Sequence, residues 1–362
     1  MKVLLRIRGD VKEYPGGDYV QLLRTRETLE QLGFECAVSP GLDPMPAGID
    51  IVHLFNTTRI HETYLQFREA KQRGIPVVLT PIWHSMSEMR RFYSRLYKLP
   101  LFPIWKYMAA KEFFYARRSR KPVFAGATLR YRELQREVVG GVDMVAPNSQ
   151  AELDILRREL GVEPRAARVT SPLFDSKPEP EQPRQQRSGA ADRQDLVCAG
   201  RIEPRKNQLS VIRAFKSLGQ TGRRLLLFGA MSGAHPGYER AVRRELASGW
   251  VEYCGHVPVG ELAAAYDRAK AAILASYFET CGFSALEAIT HGAQVCISDT
   301  PYTREFYNGH AVFCDPFSIS SIRAGIETVL TATAPDRNGF LHAFSRETVL
   351  GETREVYGCL TN

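Results

Sequence analysis

Short apolar runs alternate with longer segments of helical period along most of the chain. Val3–Ile7, Glu35–Val38, Ile49–Phe55 and Pro76–Thr80 are brief and rich in branched residues, as strands buried on both faces are. Between them Gly16-Gly17 opens a segment to about Leu32, with Leu22, Leu29 and Leu32 on one side, and Glu62–Arg73 has the same helical spacing. Val142–Pro147 reads as a late strand of this block and Gln150–Leu160 as the helix after it. Strands separated by helices predict an α/β fold with a parallel sheet covered on both faces.

The alternation stops at Pro172. Lys177 to Gly189 is polar, proline-rich and without period, the composition of a linker or exposed loop. The pattern then restarts. Strands Leu196–Ala199, Arg224–Phe228, Val251–Cys254, Ala272–Ala275 and Gln294–Ile297 are separated by helices Gln208–Leu218, Glu239–Leu246, Leu262–Ala269 and Ala285–His291. The chain therefore predicts a first domain at 1–171, a linker at 172–194, a second domain at 195–340 and a C-terminal segment at 341–362. A chain of 362 residues is too long for one ordinary core, which agrees with two domains. Two doubly wound domains leave a cleft between the carboxyl ends of their strands, where such sheets bind ligands.

Composition adds constraints. Hydrophobic residues make up 44% and charged residues 24%, the ordinary balance of a soluble globular protein. The net charge of +8 points to an anionic partner. The seven cysteines are odd in number and include neither a C-x-x-C pair nor zinc spacing, so buried thiols in a reducing cytosol are expected rather than a disulfide framework. The first strand has charges inside it and lacks the apolar core of a signal peptide. No run approaches the roughly 18 apolar residues of a membrane span.

The charge is unevenly spread. Glu88 to Arg132 holds twelve Lys/Arg against two acids, more net positive charge than the whole chain. Arg90, Arg91, Arg95, Lys98, Lys106, Arg117 and Arg118 are interleaved with aromatics such as Phe92, Tyr93, Phe102 and Trp105. That mixture suits a surface resting on anionic lipid headgroups. A helical subdomain with an aromatic core and solvated charges is the plainer reading. Nucleic acid, held by stacking and charge, is a third and weaker one.

Two motifs carry chemistry. Phe278-Glu279-Thr280-Cys281-Gly282-Phe283-Ser284-Ala285-Leu286-Glu287 sets two glutamates eight residues apart around a small-residue loop entering a helix, an arrangement that presents N–H groups to a sugar phosphate. Ser284 and Glu287 also fit a capping box. Gly200-Arg201-Ile202-Glu203-Pro204-Arg205-Lys206-Asn207 follows a strand and opens a helix, with Asn207 as an expected N-cap. Arg201 and Lys206 at a positive helix end suit a diphosphate, although basic residues in a solvated turn look the same.

The order of these motifs resembles the retaining GT-B glycosyltransferases of the group-one type found in polysaccharide, lipopolysaccharide and glycolipid synthesis. Gly229-Ala230-Met231-Ser232-Gly233, Val251 to Val257 and Val295-Cys296-Ile297-Ser298 extend the likeness over Leu196–Pro316. Tyr14-Pro15-Gly16-Gly17, Trp83-His84 and Ala146-Pro147-Asn148-Ser149 carry it into the first domain. The resemblance implies two Rossmann-like domains and a C-terminal helix, about Arg346–Tyr357, packed back on the first. It implies a nucleotide-sugar donor, a glycan or lipid-linked acceptor, and no metal or further cofactor. Arg201 and Lys206 would stabilise the leaving diphosphate. Glu279 would contact donor-sugar hydroxyls and Glu287 the ribose. Gly282, Phe283 and Ser284 would line the sugar and phosphates, and His256 and Val257 the base. Gly17 would allow close backbone approach, and His84 would point at the reacting sugar. The chain has no D-x-D, the mark of metal-dependent transferases of the other major fold. It departs from the family pattern at Thr170–Asp175, in the turn after Phe228 and at Cys281. A sugar-nucleotide 2-epimerase of the same fold and a non-catalytic interaction protein are the rival readings. A cytoplasmic enzyme resting peripherally on the inner face of the membrane is the location expected.

Overall fold

The computed structural model describes residues 1–14, 16–118, 130–172, 195–219, 222–231, 233–246, 249–333 and 337–360; the side chains of Arg118, Arg337 and Asn338 are not among the described ones. The proline-rich stretch 177–189, and the basic residues 120 and 121, lie outside them.

The chain divides into two units. Unit 1 is Met1–Asp175 with Ala343–Asn362, and unit 2 is Ser176–His342. Unit 1 runs β1 (Lys2–Ile7), α1 (Gly17–Gln31), β2 (Glu35–Pro40), β3 (Ile51–Phe55), α2 (Ile60–Gln72), β4 (Val77–Thr80), α3 (Met86–Tyr97), α4 (Ile104–Arg118), α5 (Tyr131–Gly141), β5 (Met144–Val145) and α6 (Gln150–Leu160). Its five strands lie in the order β2-β1-β3-β4-β5, all parallel. The expected strand at Val142–Pro147 shrinks to the two residues of β5, which pairs with β4 and is bridged on its other side by Ala167.

Unit 2 runs β6 (Asp195–Ala199), α7 (Gln208–Lys216), β7 (Leu225–Phe228), α8 (Pro236–Glu245), β8 (Val251–Gly255), α9 (Val259–Arg268), β9 (Ala269–Leu274), α10 (Phe283–Thr290), β10 (Gln294–Ser298), α11 (Pro301–Tyr307), β11 (Val312–Cys314) and α12 (Ile319–Thr331). Its six parallel strands take the order β11-β10-β9-β6-β7-β8. After α13 (Arg337–Ala343), the last helix, α14 (Arg346–Gly358), belongs to unit 1.

The reason α14 belongs there is visible in its residues. Val356 and Tyr357 are part of the core formed by Val3, Leu5, Ile51 and Phe55. The Tyr357 hydroxyl lies 2.6 Å from His53 Nδ1, and His53 Nε2 lies 2.8 Å from Thr80 Oγ1. Glu352 accepts from the amide of Ser171 at 2.6 Å. Burial drives the His53 imidazole down to about 3, so the ring is neutral and one of its nitrogens accepts.

Both strand orders have a place where the winding direction reverses. In unit 1 it falls between β1 and β3, and in unit 2 between β6 and β9. Loops leaving the carboxyl ends of those strands are where a doubly wound sheet collects ligands.

Candidate active site

In unit 2, the turns leaving β6 and β9 carry the charges. Gly200 ends β6 with φ +145°, and Gly229 ends β7 with φ +137°. A Cβ on Gly229 would sit 2.1 Å from the Gly200 carbonyl oxygen, so these two turns pack backbone against backbone and only glycine fits. Gln208 Nε2 donates to the Arg201 carbonyl at 2.8 Å and fixes the turn from below. A 3-10 turn at Pro204–Lys206 then delivers two cations towards β9.

Lys206 Nζ lies 2.6 Å from Glu279 Oε2, and both side chains are largely buried. Arg205, not singled out by the sequence motifs, completes the arrangement. Its guanidinium is 3.8 Å from the same Glu279 oxygen and 2.9 Å from Glu203. It donates to the Phe278 carbonyl at 3.4 Å and lies 5.5 Å from the centre of the Phe278 ring. Its own carbonyl accepts from the Tyr277 amide at 2.9 Å. Burial works against the Glu203 carboxylate, but the charges of Arg205, Arg201 and Lys206 prevail and hold it below the usual glutamate range. Arg201 is the outer cation, with a side chain 45% exposed and only a 3.8 Å approach to Glu203.

Asn207 is the N-cap of α7, as expected, but in the left-handed region (φ +60°) and without a cap bond from its side chain. Its Nδ2 instead donates to the carbonyls of Ala275 at 3.0 Å and Pro316 at 2.8 Å, tying the turn after β6 to the chain beyond β9 and β11.

The capping-box alternative for Ser284 and Glu287 does not form. α10 starts at Phe283, one residue ahead of Ser284, and its N-cap is Gly282 in the left-handed region (φ +74°). The loop is held from beneath by the buried Tyr307, whose hydroxyl faces the carbonyl oxygens of Cys281 at 2.7 Å and Gly282 at 3.0 Å. Phe283 and Ser284 are left leading α10 at its partially positive end, and Glu287 follows one turn later. Tyr307 was beyond the reach of motif reading, because an aromatic in a later helix carries no local signal of what it supports.

His256 is exposed and Val257 half-buried, just past the end of β8. The Gly229 amide donates to the Gly255 carbonyl at 2.7 Å, and the Tyr253 hydroxyl donates to the Gly229 carbonyl at 3.0 Å. Backbone contacts therefore strap the ends of β6, β7 and β8 into one edge that carries Arg201, Lys206 and His256.

Gly17 and His84 belong to unit 1. Gly17 is the first residue of α1, next to Asp18, which binds Arg8 at 2.6 Å. Half-buried His84 follows β4 two residues after Ile82, a β-branched residue held at φ +46°. Left-handed backbone at such a residue costs roughly 1–3 kcal/mol and concentrates at functional edges. Sequence reading missed the charged network at unit 1's own reversal point. Arg8 meets Asp10 at 2.6 Å; Arg59 meets Asp10 and Glu112 at 3.4 Å each and lies 3.5 Å from the Tyr115 ring centre.

Unit 2 thus brings together cations, a carboxylate and a helix N-terminus at the reversal point of a parallel sheet. That combination can hold a phosphorylated ligand through charge-assisted hydrogen bonds. Residues 181–340 match the glycosyl transferases group 1 family. Over these residues the chain resembles the group 1 glycosyltransferases.

The chain is similar in sequence to the O-antigen chain mannosyltransferase B of Escherichia coli, 29% identical over 132 residues. That likeness covers 35% of this chain and spans about a third (34%) of the relative's length. In structure, the glycosyltransferase of Rickettsia africae superposes with a TM-score of 0.70 at 13% identity, covering 100% of this chain and 98% of its own. HepE of Anabaena, solved in complex with UDP-glucose, gives 0.67 at 16%, covering 100% and 99%. The sucrose-phosphate synthase of Thermosynechococcus elongatus gives 0.66 at 15%, covering 100% and 95%. The fold is that of the GT-B glycosyltransferases.

Proposed function

We propose that the protein transfers a sugar from a nucleotide-diphosphate donor to a glycan or lipid-linked acceptor, with retention at the anomeric carbon and without a metal ion. The observation that carries this reading is the Lys206–Glu279 pair at the reversal point of unit 2, flanked by Arg201, Arg205 and the start of α10. Three cations, Arg201, Arg205 and Lys206, against two carboxylates, Glu203 and Glu279, leave one positive charge to be met by a diphosphate. Positive groups fixed where negative charge grows on a leaving group supply a large share of catalysis.

In this reading the diphosphate draws Lys206 and Arg201 to its oxygens. Glu279, released from Lys206, accepts hydrogen bonds from donor-sugar hydroxyls. Phe283 and Ser284 line the phosphates, Glu287 the ribose, and His256 and Val257 the base. The bond between the anomeric carbon and the phosphate oxygen breaks, with its electron pair leaving on the diphosphate. The acceptor oxygen bonds to the same face of that carbon, and its proton passes to the departing phosphate. HepE, solved with UDP-glucose, and the mannosyltransferase relative support a nucleotide sugar as donor.

The test is a thermal-shift panel with UDP, GDP, ADP, CMP and their sugar conjugates, followed by product analysis. A ligand at about 100 times its Kd stabilises by roughly 2.7 kcal/mol. One nucleotide should shift the wild type and leave Arg201→Ala/Lys206→Ala unmoved, and turnover should release free nucleotide plus an α-retained glycoside. An epimerised nucleotide sugar without acceptor transfer, or an inverted product, would overturn the reading.

A further inference from the structure

The hairpin formed by α3 and α4 in unit 1 carries features that no donor chemistry uses. Its interior is an aromatic stack. Tyr93, Phe102 and Tyr107 have ring centres 4.6 to 5.5 Å apart, with Tyr97 at their edge. Phe92, Tyr93 and Phe102 are buried, so these aromatics form core and are not a contact surface, which corrects the interleaved-aromatic reading of the sequence. Trp105 is half-buried against Trp83 and Tyr131, with Arg132 above its ring.

What faces outward is different. Leu96, Tyr97, Leu99 and Leu101 are all exposed within six residues, Leu101 by 87%. The turn that displays them is sharp, with Lys98 at φ +55° and the Leu99 amide donating to the Ser94 carbonyl at 3.0 Å. Around it Arg90, Arg91, Arg95, Lys98, Lys106, Lys111 and Arg117 are exposed, whereas the acids of the hairpin, Glu88 and Glu112, are half-buried and buried. Among the described residues Arg90, Lys98, Lys106, Lys111 and Arg117 make no ion pair. Between the two helices opens a cavity of about 410 Å³ walled by Met86, Phe102, Ile104 and Trp105, with Arg90 and Lys106 also lining it. Glu159, the acid in its wall, is bound to the Trp83 indole, the Ser85 hydroxyl and the Met86 amide.

We propose that the α3–α4 hairpin docks the protein on a bilayer containing anionic phospholipid. Leu96, Leu99 and Leu101 enter the acyl boundary, the cations meet headgroup phosphates, and a lipid chain enters the cavity beside Trp105. Apolar tips ringed by exposed cations are the signature of interfacial binding. No helix among the described residues is long and apolar enough to span, so the contact lies on one leaflet. Single-stranded nucleic acid fits less well, because it requires exposed aromatic platforms and the protruding residues are mainly leucines.

The test is co-sedimentation of the full chain with vesicles of phosphatidylcholine alone or equimolar with phosphatidylglycerol. Wild type should bind the anionic vesicles at least about tenfold more tightly, and salt should weaken the binding. Lys98→Glu/Lys106→Glu should lose that preference, and Leu99→Ser/Leu101→Ser should weaken binding by about tenfold with the charge intact. Chain-brominated phosphatidylglycerol should quench tryptophan fluorescence, less so in Trp105→Phe. Binding to neither vesicle, equal binding to both, variants that bind like wild type, or salt-sensitive capture of RNA without vesicle binding would overturn the proposal. Circular-dichroism melts identify any variant that misfolds. The nucleotide shift is read separately, so failure of the donor reading and failure of membrane docking are distinguishable.

Discussion

Tyr307 decides how the loop before α10 is held, since its hydroxyl fastens two successive carbonyls from the protein interior. Tyr307→Phe should cost about 1–3 kcal/mol of stability, because buried acceptors lose their partner. It should also raise KM for the donor, read by initial rates. Gly229→Ala should be worse for folding than most surface changes, since its methyl would overlap the Gly200 carbonyl; a melting temperature equal to wild type would contradict that packing. At this scale the sequence was half legible. Lys206 and Glu279 stood out because each follows a strand end in a charged or glycine-rich loop. Arg205 did not, because an arginine in a basic turn looks solvated until the chain returns 73 residues later with Phe278 and Glu279. Asn207 was legible as the N-cap of α7, but not as the donor to the distant carbonyls of Ala275 and Pro316.

Helices show the same division between local and tertiary information. Periodicity marked α1, α2, α6, α7, α8, α9 and α10, with most ends within a few residues of the expected ones, but it gave no bounds for α3, α4, α5, α11, α12 or α13. What each helix holds did not follow. α3 carries Glu88, which burial and the nearby Glu159 charge push up to about 7. The folded protein binds that proton more tightly than the unfolded chain, so Glu88's favourable contribution is complete below the ordinary carboxylate value and lost as pH rises through about 7. Glu88→Gln should therefore raise the melting temperature above about pH 8 and leave it unchanged near pH 4, measured by calorimetry across that range. In β3, where His53 meets α14 through Tyr357, the sign is opposite. His53 is held neutral, so its contribution is present above the usual imidazole value and declines as pH falls towards 3. Tyr357→Phe leaves His53 Nδ1 without its partner, and should destabilise unit 1 by about 1–3 kcal/mol.

Across the whole molecule, the two blocks of alternation in the sequence become two parallel sheets, with strand orders that only the coordinates supply. The order in unit 2 explains why Arg201, Lys206 and Glu279, far apart in sequence, share one edge of its sheet. The path of the chain has another consequence. Unit 1 is built from two stretches separated by all of unit 2, and the later one carries Val356 and Tyr357 into its core. During synthesis the first stretch leaves the ribosome with His53, Phe55 and Thr80 lacking their covering helix. At about 5–20 residues per second, roughly ten seconds or more pass before α14 arrives. For that interval the nascent chain shows an open apolar groove, a natural place for a chaperone to hold it, while unit 2 is free to fold first.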